Sequence, residues 1–303
     1  MFYIHAISSI THQNSFRSED VNENLEPISE ESVLKSPDYK EYISPVALRR
    51  LSPVLRMGIA AAKECEKEVG KPFDAISVGT ALGCLTDTEK FLKVINTVEG
   101  DVLSPTSFIQ STHNTIAGQI SLDLGNHSYN MTHTQNNLSF EMALIDGMLC
   151  CKEGAENVLV GTADEAIEFL NSLKPSIFLA ESNLTSGATF MAISPVKKAS
   201  SVAVLDCSTH FGTVDLKQEI EIFLAKNDLG LATISRIFTN TDIDLVGEKI
   251  LYEDFSGLYF SSAAFGTHMA HDWLQKNPNK YALVVNTGCS KNTGLILLKN
   301  DQA

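Results

Sequence analysis

The sequence lacks any hydrophobic run close to the ~20 residues that a transmembrane helix needs. Its first segment, Met1 to Ile7, contains no basic residue and so does not resemble a secretory signal. The six cysteines are scattered and form no CxxC pair. We therefore expect reduced thiols without a disulfide framework, no membrane insertion and a cytoplasmic protein.

Basic residues are scarce as well. The 303 residues include 23 Lys and Arg against 37 Asp and Glu, which gives a formal net charge of −14. A surface this negative repels phosphate groups, so nucleic acid and anionic membranes are poor partners. Residues 1–195 carry 13 basic and 25 acidic side chains, whereas residues 196–303 carry 10 and 12. The six acids between Glu19 and Glu31 have no base among them, which indicates a solvated loop.

What the sequence does contain is an alternation of short apolar strands with amphipathic helices, which predicts an α/β architecture with buried sheets. The order of elements after residue 196 repeats the order before it, so we expect a duplication. Residues 13–44 are polar and aperiodic, which predicts a long surface loop. The expected strands are 2–10, 74–82, 128–134, 157–161, 188–193, 201–205, 234–238, 281–286 and 294–298. One helix is expected to begin at residue 52, and the other expected helices are 115–124, 138–151, 216–227 and 261–275.

Residues 104–165 carry a series of motifs. The series comprises Ser104-Pro105, Asn114, Ala117-Gly118-Gln119, a turn at 134–140 that opens a helix, and a strand that ends in Gly161, Asp164 and Glu165. This series resembles the β-ketoacyl synthases, the condensing enzymes of the thiolase fold. The resemblance covers most of residues 45–195. It is weaker but ordered over 196–303, where SSAAFG at 261–266 and NTGCSKNTGLILL at 286–298 take family-like places.

The resemblance implies a thiolase-like, duplicated α-β-α-β-α layered fold with a shortened second half. The implied division is an N-terminal β-ketoacyl-synthase-like half, 1–195, and a reduced C-terminal thiolase-like half, 196–303. It also implies a chemistry in which a cysteine at a helix start takes an acyl chain and two histidines promote decarboxylation. A helix N-terminus lowers the pKa of a thiol, and histidines donate hydrogen bonds to a developing oxyanion.

The sequence departs from that chemistry at every position. The nucleophile position falls on Asn137, or on Asn136 if the alignment slips by one, and an amide cannot be acylated like a thiolate. The two histidine positions fall on Thr241 and Leu258. We therefore expect no catalytic residue for condensation in this chain alone.

The resemblance also implies roles for the residues around these positions. The residues expected to line a pocket or tunnel are Asn136, Asn137, Phe140 and Ser262, and those expected at a subunit interface are Phe108, Ile109, Asn114 and His133.

Other chemistry-bearing residues fit ordinary structural roles better. Cys150 and Cys151 lie at the end of the helix that Asn137 starts, where the helix dipole disfavours a thiolate. His268 and His271 have the spacing of one helix face, but no third ligand with matching spacing accompanies them, so we expect surface histidines and no metal. The sequence has neither a GxxxxGK[ST] nor a GxGxxG motif, and we expect no cofactor.

Taken together, these features predict a non-catalytic homologue that resembles the chain-length factors, which lack the reactive cysteine and pair with an active ketosynthase. The expected partners are an active ketosynthase subunit in a heterodimer and, indirectly, an acyl carrier protein. The pathway implied is polyketide- or fatty-acid-type elongation, with aryl polyene or flexirubin pigment synthesis as a finer possibility.

Three alternatives remain open. The chain could be a malonyl-carrier-protein decarboxylase, although that chemistry normally keeps both histidines. It could be an acyltransferase or hydrolase with a different nucleophile. It could also be a scaffold that binds acyl chains without a ketosynthase partner.

Overall fold

The computed structural model describes residues 1–97, 104–177, 182–198, 201–288 and 291–300. The strands are β1 (Phe2–Ile10), β2 (Ala75–Gly79), β3 (Tyr129–His133), β4 (Val158–Asp164), β5 (Gly187–Ser194), β6 (Val202–His210), β7 (Arg236–Thr239), β8 (Lys249–Leu251), β9 (Tyr281–Thr287) and β10 (Thr293–Asn300). The helices are α1 (Pro45–Leu48), α2 (Pro53–Val69), α3 (Leu85–Thr97), α4 (Pro105–Gln110), α5 (Thr115–Leu124), α6 (Ser139–Lys152), α7 (Glu168–Leu173), α8 (Leu216–Lys226), α9 (Glu253–Ser256) and α10 (Ala263–Gln275).

The strand order shows the duplication. The strands join in the order β3-β2-β4-β5-β1-β6-β10-β9-β7-β8. The first five strands therefore follow the order 3-2-4-5-1, and the last five follow 8-7-9-10-6, which is the same order with every number raised by five. The two sets meet where β1 pairs antiparallel with β6, with Phe2 opposite Val204. This confirms the expected duplicated α/β fold, whereas the boundary at residue 195 stays a prediction.

Helices α6 and α10 form the middle layer of the molecule. Helix α6 packs on β2 and β4 of the first set and on β6 and β10 of the second, while α10 packs on β9, β10, β1 and β5. One hydrophobic cluster surrounds this helix pair, a second lies under α2 and α5, and a third lies under α8. The layers are therefore α-β-α-β-α, as the resemblance implied.

Local sequence explains where helix α2 begins and ends and how α6 begins. Helix α2 starts with Pro53 at its first position and stops at Gly70, whose φ of +71° suits a glycine C-cap. Helix α6 starts against the end of β2, where a Cβ on Gly79 would lie 2.3 Å from the backbone oxygen of Ser139. Glycine at position 79 therefore permits α6 to begin close to the sheet.

The acidic segment is only partly the solvated loop that its composition indicated. We call residues 11–37 the strap, because they lie across α9 and α10. Val21 is buried in the central cluster, and its backbone N–H donates to Asp272 Oδ2 at 2.9 Å. The N–H of Ile28 donates to the backbone oxygen of Asp254 at 2.7 Å, and Lys276 lies 2.7 Å from Asp20. These anchors are single residues, so composition alone did not reveal them.

No helix in the described part of the chain is long and apolar enough to cross a membrane. The cysteines within the described ranges are free thiols: Cys65, Cys84, Cys150, Cys151 and Cys207. Cys289 lies outside the described residues. The cytoplasmic location stays a prediction.

Candidate functional site

The position predicted for the nucleophile holds a buried amide. Asn137 lies in the 3₁₀ turn 136–138 that leads into α6, directly after Asn136, whose φ is +55°. The side chain of Asn292 donates to Asn137 Oδ1 at 3.5 Å, and Asn286 Nδ2 donates to the backbone oxygen of Asn137 at 2.8 Å. A Cβ on Gly288 would lie 2.4 Å from the Asn137 side chain. The end of β9 therefore closes over this position.

Glu141 lies one turn further along α6 and was not expected from the sequence. Asn286 Nδ2 donates to Glu141 Oε1 at 2.7 Å, while Oε2 has no partner among the described residues. Burial raises the pKa of Glu141 to about 7, although the hydrogen bond from Asn286 acts against the shift. Position 294 must be glycine-sized, because a Cβ there would lie 2.3 Å from Glu141 Oε1. Glu141 is one of two acids in α6, and an acid within the apolar stretch 140–145 was the available sequence signal.

The first of the two predicted histidine positions lies in the loop after β7. Thr241 is exposed, and its Oγ1 lies 3.0 Å from Thr287 Oγ1. Its neighbour Asn240 accepts from the backbone N–H of Thr287 at 2.8 Å and donates to the oxygen of the same residue at 2.7 Å. The Asn240 amide thus ties this loop to the strand end that covers Asn137.

The second histidine position lies after α9. The backbone N–H of Leu258 donates to Asn183 at 2.9 Å, and the Leu258 oxygen accepts from Thr185 at 3.0 Å. Gly257 has a φ of +65°, and a Cβ there would lie 2.2 Å from the Thr185 side chain. Leu258 is thereby held in place by backbone contacts, but its side chain offers neither a donor nor an acceptor.

Glu253 lies near both predicted histidine positions, beside Asn240 and Leu258. The sequence analysis did not identify it. Ser262, which is buried, donates to Glu253 Oε1 at 2.9 Å. Burial raises the pKa of Glu253 to about 7 against the hydrogen bonds from Ser262 and Asn240. Asn240, Glu253 and Leu258 line one cavity of about 350 Å³. The short helix α9 gives no periodic pattern, which is why sequence reasoning passed over Glu253.

The Asp-Glu pair at the end of β4 has a structural role. Asp164 accepts from Ser261 at 2.6 Å through Oδ2 and from Thr80 Oγ1 at 2.8 Å through Oδ1. Glu165 accepts from the backbone N–H of Thr86 at 2.8 Å and from its hydroxyl at 2.9 Å. Burial raises the pKa of both acids. The pair therefore joins the first set of elements to α10 and to the loop before α3.

The expected pocket residues separate into two groups. Phe140 is fully buried in the central cluster, and Ser262 is buried beside Glu253. Asn136 is exposed, whereas Asn137 is 5% exposed. The structure thus brings Asn137 and Ser262 to the ends of the two central helices, and it places Phe140 inside the core between them.

The expected interface residues lie on α4, just before α5 and on β3. Phe108 and Ile109 of α4 are 58% and 62% exposed. Asn114 is exposed and precedes α5, where its Oδ1 accepts from Thr112 at 2.7 Å. His133 lies on β3, the edge strand of the sheet, with Nε2 at 3.1 Å from Asp146 Oδ2.

The expectation of surface histidines on α10 is wrong. His268 and His271 are buried, and burial lowers the pKa of His268 to about 4. Ser9 Oγ lies 2.7 Å from His268 Nδ1, and Asp272 lies 2.8 Å from His271 Nδ1. His268 therefore connects α10 to β1, whereas His271 bonds within α10, to Asp272 and Gln275. Among the described residues there is no group of three side chains suited to a metal ion.

These observations define a class: a duplicated, layered α/β protein whose central site holds amides and carboxyl groups at or beside the positions predicted for a thiol and two histidines. The model of the family "Beta-ketoacyl synthase, N-terminal domain" matches residues 23–201, more than half of the chain. The chain belongs to the β-ketoacyl synthase family. A comparison with curated protein sequences finds no match.

Solved structures share the fold at low sequence identity. A structure described as the ishigamide ketosynthase/chain length factor matches with a TM-score of 0.80, 14% identity and 99% coverage of both chains. A type II polyketide acyl-carrier protein in complex with its ketosynthase, AntDE:AntF, matches with a TM-score of 0.80, 15% identity and 99% coverage of both chains. The ketosynthase ApeO in complex with its chain length factor ApeC, from Xenorhabdus doucetiae, matches with a TM-score of 0.62 and 12% identity, covering 98% of this chain and 99% of the other.

Proposed function

We propose that this chain is a non-catalytic, chain-length-factor-like partner of an active ketosynthase in polyketide-type chain elongation. The observation that carries the proposal is the buried amide of Asn137 at the helix start where the family places its nucleophile. Amide hydrogen bonds from Asn286 and Asn292 hold that position closed. An acyl chain must therefore be carried by a thiol of another subunit.

The similar structures support this proposal. Two of them are described as pairs of a ketosynthase with a chain length factor, and a third as a ketosynthase with its acyl carrier protein. We infer the same two partners for this chain, the ketosynthase directly and the carrier protein through it. In its more specific form, the proposal is that the pathway makes aryl polyene or flexirubin pigments.

The surface proposed for pairing is the side that carries β3, α3 and α4. Strand β3 is an edge strand, and its Tyr129 and Met131 are exposed. Phe108 and Ile109 of α4 are exposed as well, and Phe108 packs on Phe91 of α3 at a ring distance of 5.7 Å. An unpaired strand edge with exposed apolar side chains favours addition of a partner.

Co-expression with a complete ketosynthase from the same source tests the pairing. We expect a one-to-one heterodimer by size-exclusion chromatography with light scattering, and we expect Phe108→Asp to reduce its recovery at least about tenfold, since a desolvated charge in an interface costs more than 1.4 kcal/mol. The matched control is Ile222→Asp on α8, an equally exposed apolar residue on the outer layer of the second set.

Recovery of this chain only as a self-dimer in the presence of the ketosynthase would sink the proposal. Equal loss of the heterodimer in both variants would show that α4 does not lie in the interface. An acyl adduct on this chain, detected by intact mass spectrometry, would instead favour an acyltransferase or hydrolase.

A further inference from the structure

The cavity between the two histidine positions has one polar and one apolar wall. We call its polar lining residues, Ser182, Asn183, Asn240, Glu253 and Asp254, the polar wall, and its apolar lining residues, Pro27, Ile28, Phe255 and Leu258, the apolar wall. Such a combination suits a ligand with a hydrocarbon part and a few polar atoms. The strap residues Pro27 and Ile28 contribute to the apolar wall, and the backbone hydrogen bond from Ile28 to Asp254 fixes them there.

Glu253 is positioned rigidly at this cavity. Ser262, which is 1% exposed, donates to Glu253 Oε1 at 2.9 Å and sets the orientation of the carboxyl group. The neighbouring Asn240 amide is itself fixed, because both of its polar atoms bond the backbone of Thr287. The polar wall is therefore preorganised for a ligand.

The charges around Glu253 are negative or neutral. The titratable groups that surround it are Asp254 on the same helix and the buried phenols Tyr252 and Tyr259. Burial raises the pKa of Glu253 to about 7, so the carboxyl group keeps its proton in mildly acidic solution. A carboxylic acid held neutral in a buried site can donate a hydrogen bond to a carbonyl oxygen.

We propose that this cavity binds a neutral, carbonyl-bearing acyl thioester, whose carbonyl oxygen accepts a hydrogen bond from the carboxyl group of Glu253. The same wall rejects malonyl groups, because the carboxylate of Asp254 repels a second carboxylate. The choice of an acyl thioester rests on the proposed function, whereas the role of Glu253 rests on the cavity. The cavity thus binds the carbonyl group of the acyl chain but does not catalyse condensation.

The test measures binding of a defined probe to the full chain by calorimetry at pH 6 and pH 8. The probe is S-acetoacetyl-N-acetylcysteamine, a neutral β-ketoacyl thioester. If only the protonated form of Glu253 binds, the protonated fraction sets the apparent affinity, and the dissociation constant rises about tenfold from pH 6 to pH 8. The malonyl thioester of the same thiol is expected to show no binding at either pH.

Variants separate the role of Glu253 from general effects of pH. Glu253→Gln is expected to bind the probe with the same dissociation constant at both pH values. Ser262→Ala removes a hydrogen bond that favours the ionised form, so the loss of affinity moves to higher pH. Asp242→Asn, an exposed carboxylate outside the cavity, is expected to keep the tenfold change.

A wild-type chain that binds the probe equally at pH 6 and pH 8, or does not bind it, overturns the inference. A tenfold change that persists in Glu253→Gln also overturns it. The proposed function is tested separately: it fails if co-expression with the ketosynthase gives no heterodimer, and that experiment does not use the thioester probe.

Discussion

Glu141 and Glu253 are carboxyl groups near the starts of the two central helices. Glu141 lies in the first turn of α6, and Glu253 accepts a hydrogen bond from Ser262, which precedes α10. The folded chain keeps the proton of Glu141 up to a pH of about 7, whereas the ordinary value of this pKa is 4.5. Between these two values the unfolded chain has lost a proton that the folded chain retains. The free energy of unfolding therefore decreases as the pH rises from about 4.5 to 7, and the decrease is complete above 7.

Glu141→Gln is expected to remove this part of the pH dependence. The shift corresponds to a loss on the order of 3 kcal/mol in the wild type. The amide can still accept from Asn286, so the variant should exceed the wild type in stability at pH 8 and approach it at pH 4.5. Urea unfolding at the two pH values measures this, with the exposed Glu156→Gln as the control. Equal pH slopes in wild type and Glu141→Gln would show that Glu141 does not hold its proton.

At the scale of elements, the contact between β2 and α6 depends on the absence of a side chain at position 79. Gly79→Ala would place a Cβ 2.3 Å from the Ser139 oxygen, so the start of α6 must shift. We expect a loss of about 1–3 kcal/mol in the free energy of unfolding. Gly118→Ala in α5 is the matched control, because nothing lies within 4 Å of its new Cβ and alanine favours a helix by about 0.5–1 kcal/mol. Equal effects of the two substitutions would contradict this account.

Elements with a strong local pattern were predictable from the sequence. Helix α2 has a proline start and a regular apolar face, and α10 and α6 lie within two residues of their predicted bounds. Helix α3 and the short elements β8 and α9 were not predicted, because three to four residues define no period and α3 has no buried residue. Glu253 lies in one of these short elements, so its place beside Asn240 followed only from tertiary structure.

The position of the strap could not be derived from composition either. Its acidic residues predicted solvation, and most of them are exposed. Its contacts with α10 depend on the buried side chain of Val21 and on a pairing of Asp20 with Lys276 across the chain. Such long-range pairings leave no periodic signal in the sequence.

For the whole molecule, the net charge of −14 bears on the proposed contact with an acyl carrier protein, since carrier proteins are acidic as well. Like charges across an interface weaken association by several kcal/mol. The isolated chain should therefore bind acyl carrier protein at least about tenfold more weakly than the heterodimer does, and the difference should shrink as salt rises. Surface plasmon resonance at two salt concentrations measures both affinities. Tight binding by the isolated chain at physiological salt would show that the carrier binds on this subunit.

The central place of β1 has a consequence for the synthesis of the protein. Within this chain β1 is the first strand made, yet its neighbours are β5 and β6, and the pair Ser9 and Thr189 is separated by 180 positions. While the ribosome is still translating the first half, an apolar strand has no edge to join. The sheet therefore closes late, and the apolar face of β1 stays open to other contacts until β5 and β6 have been made.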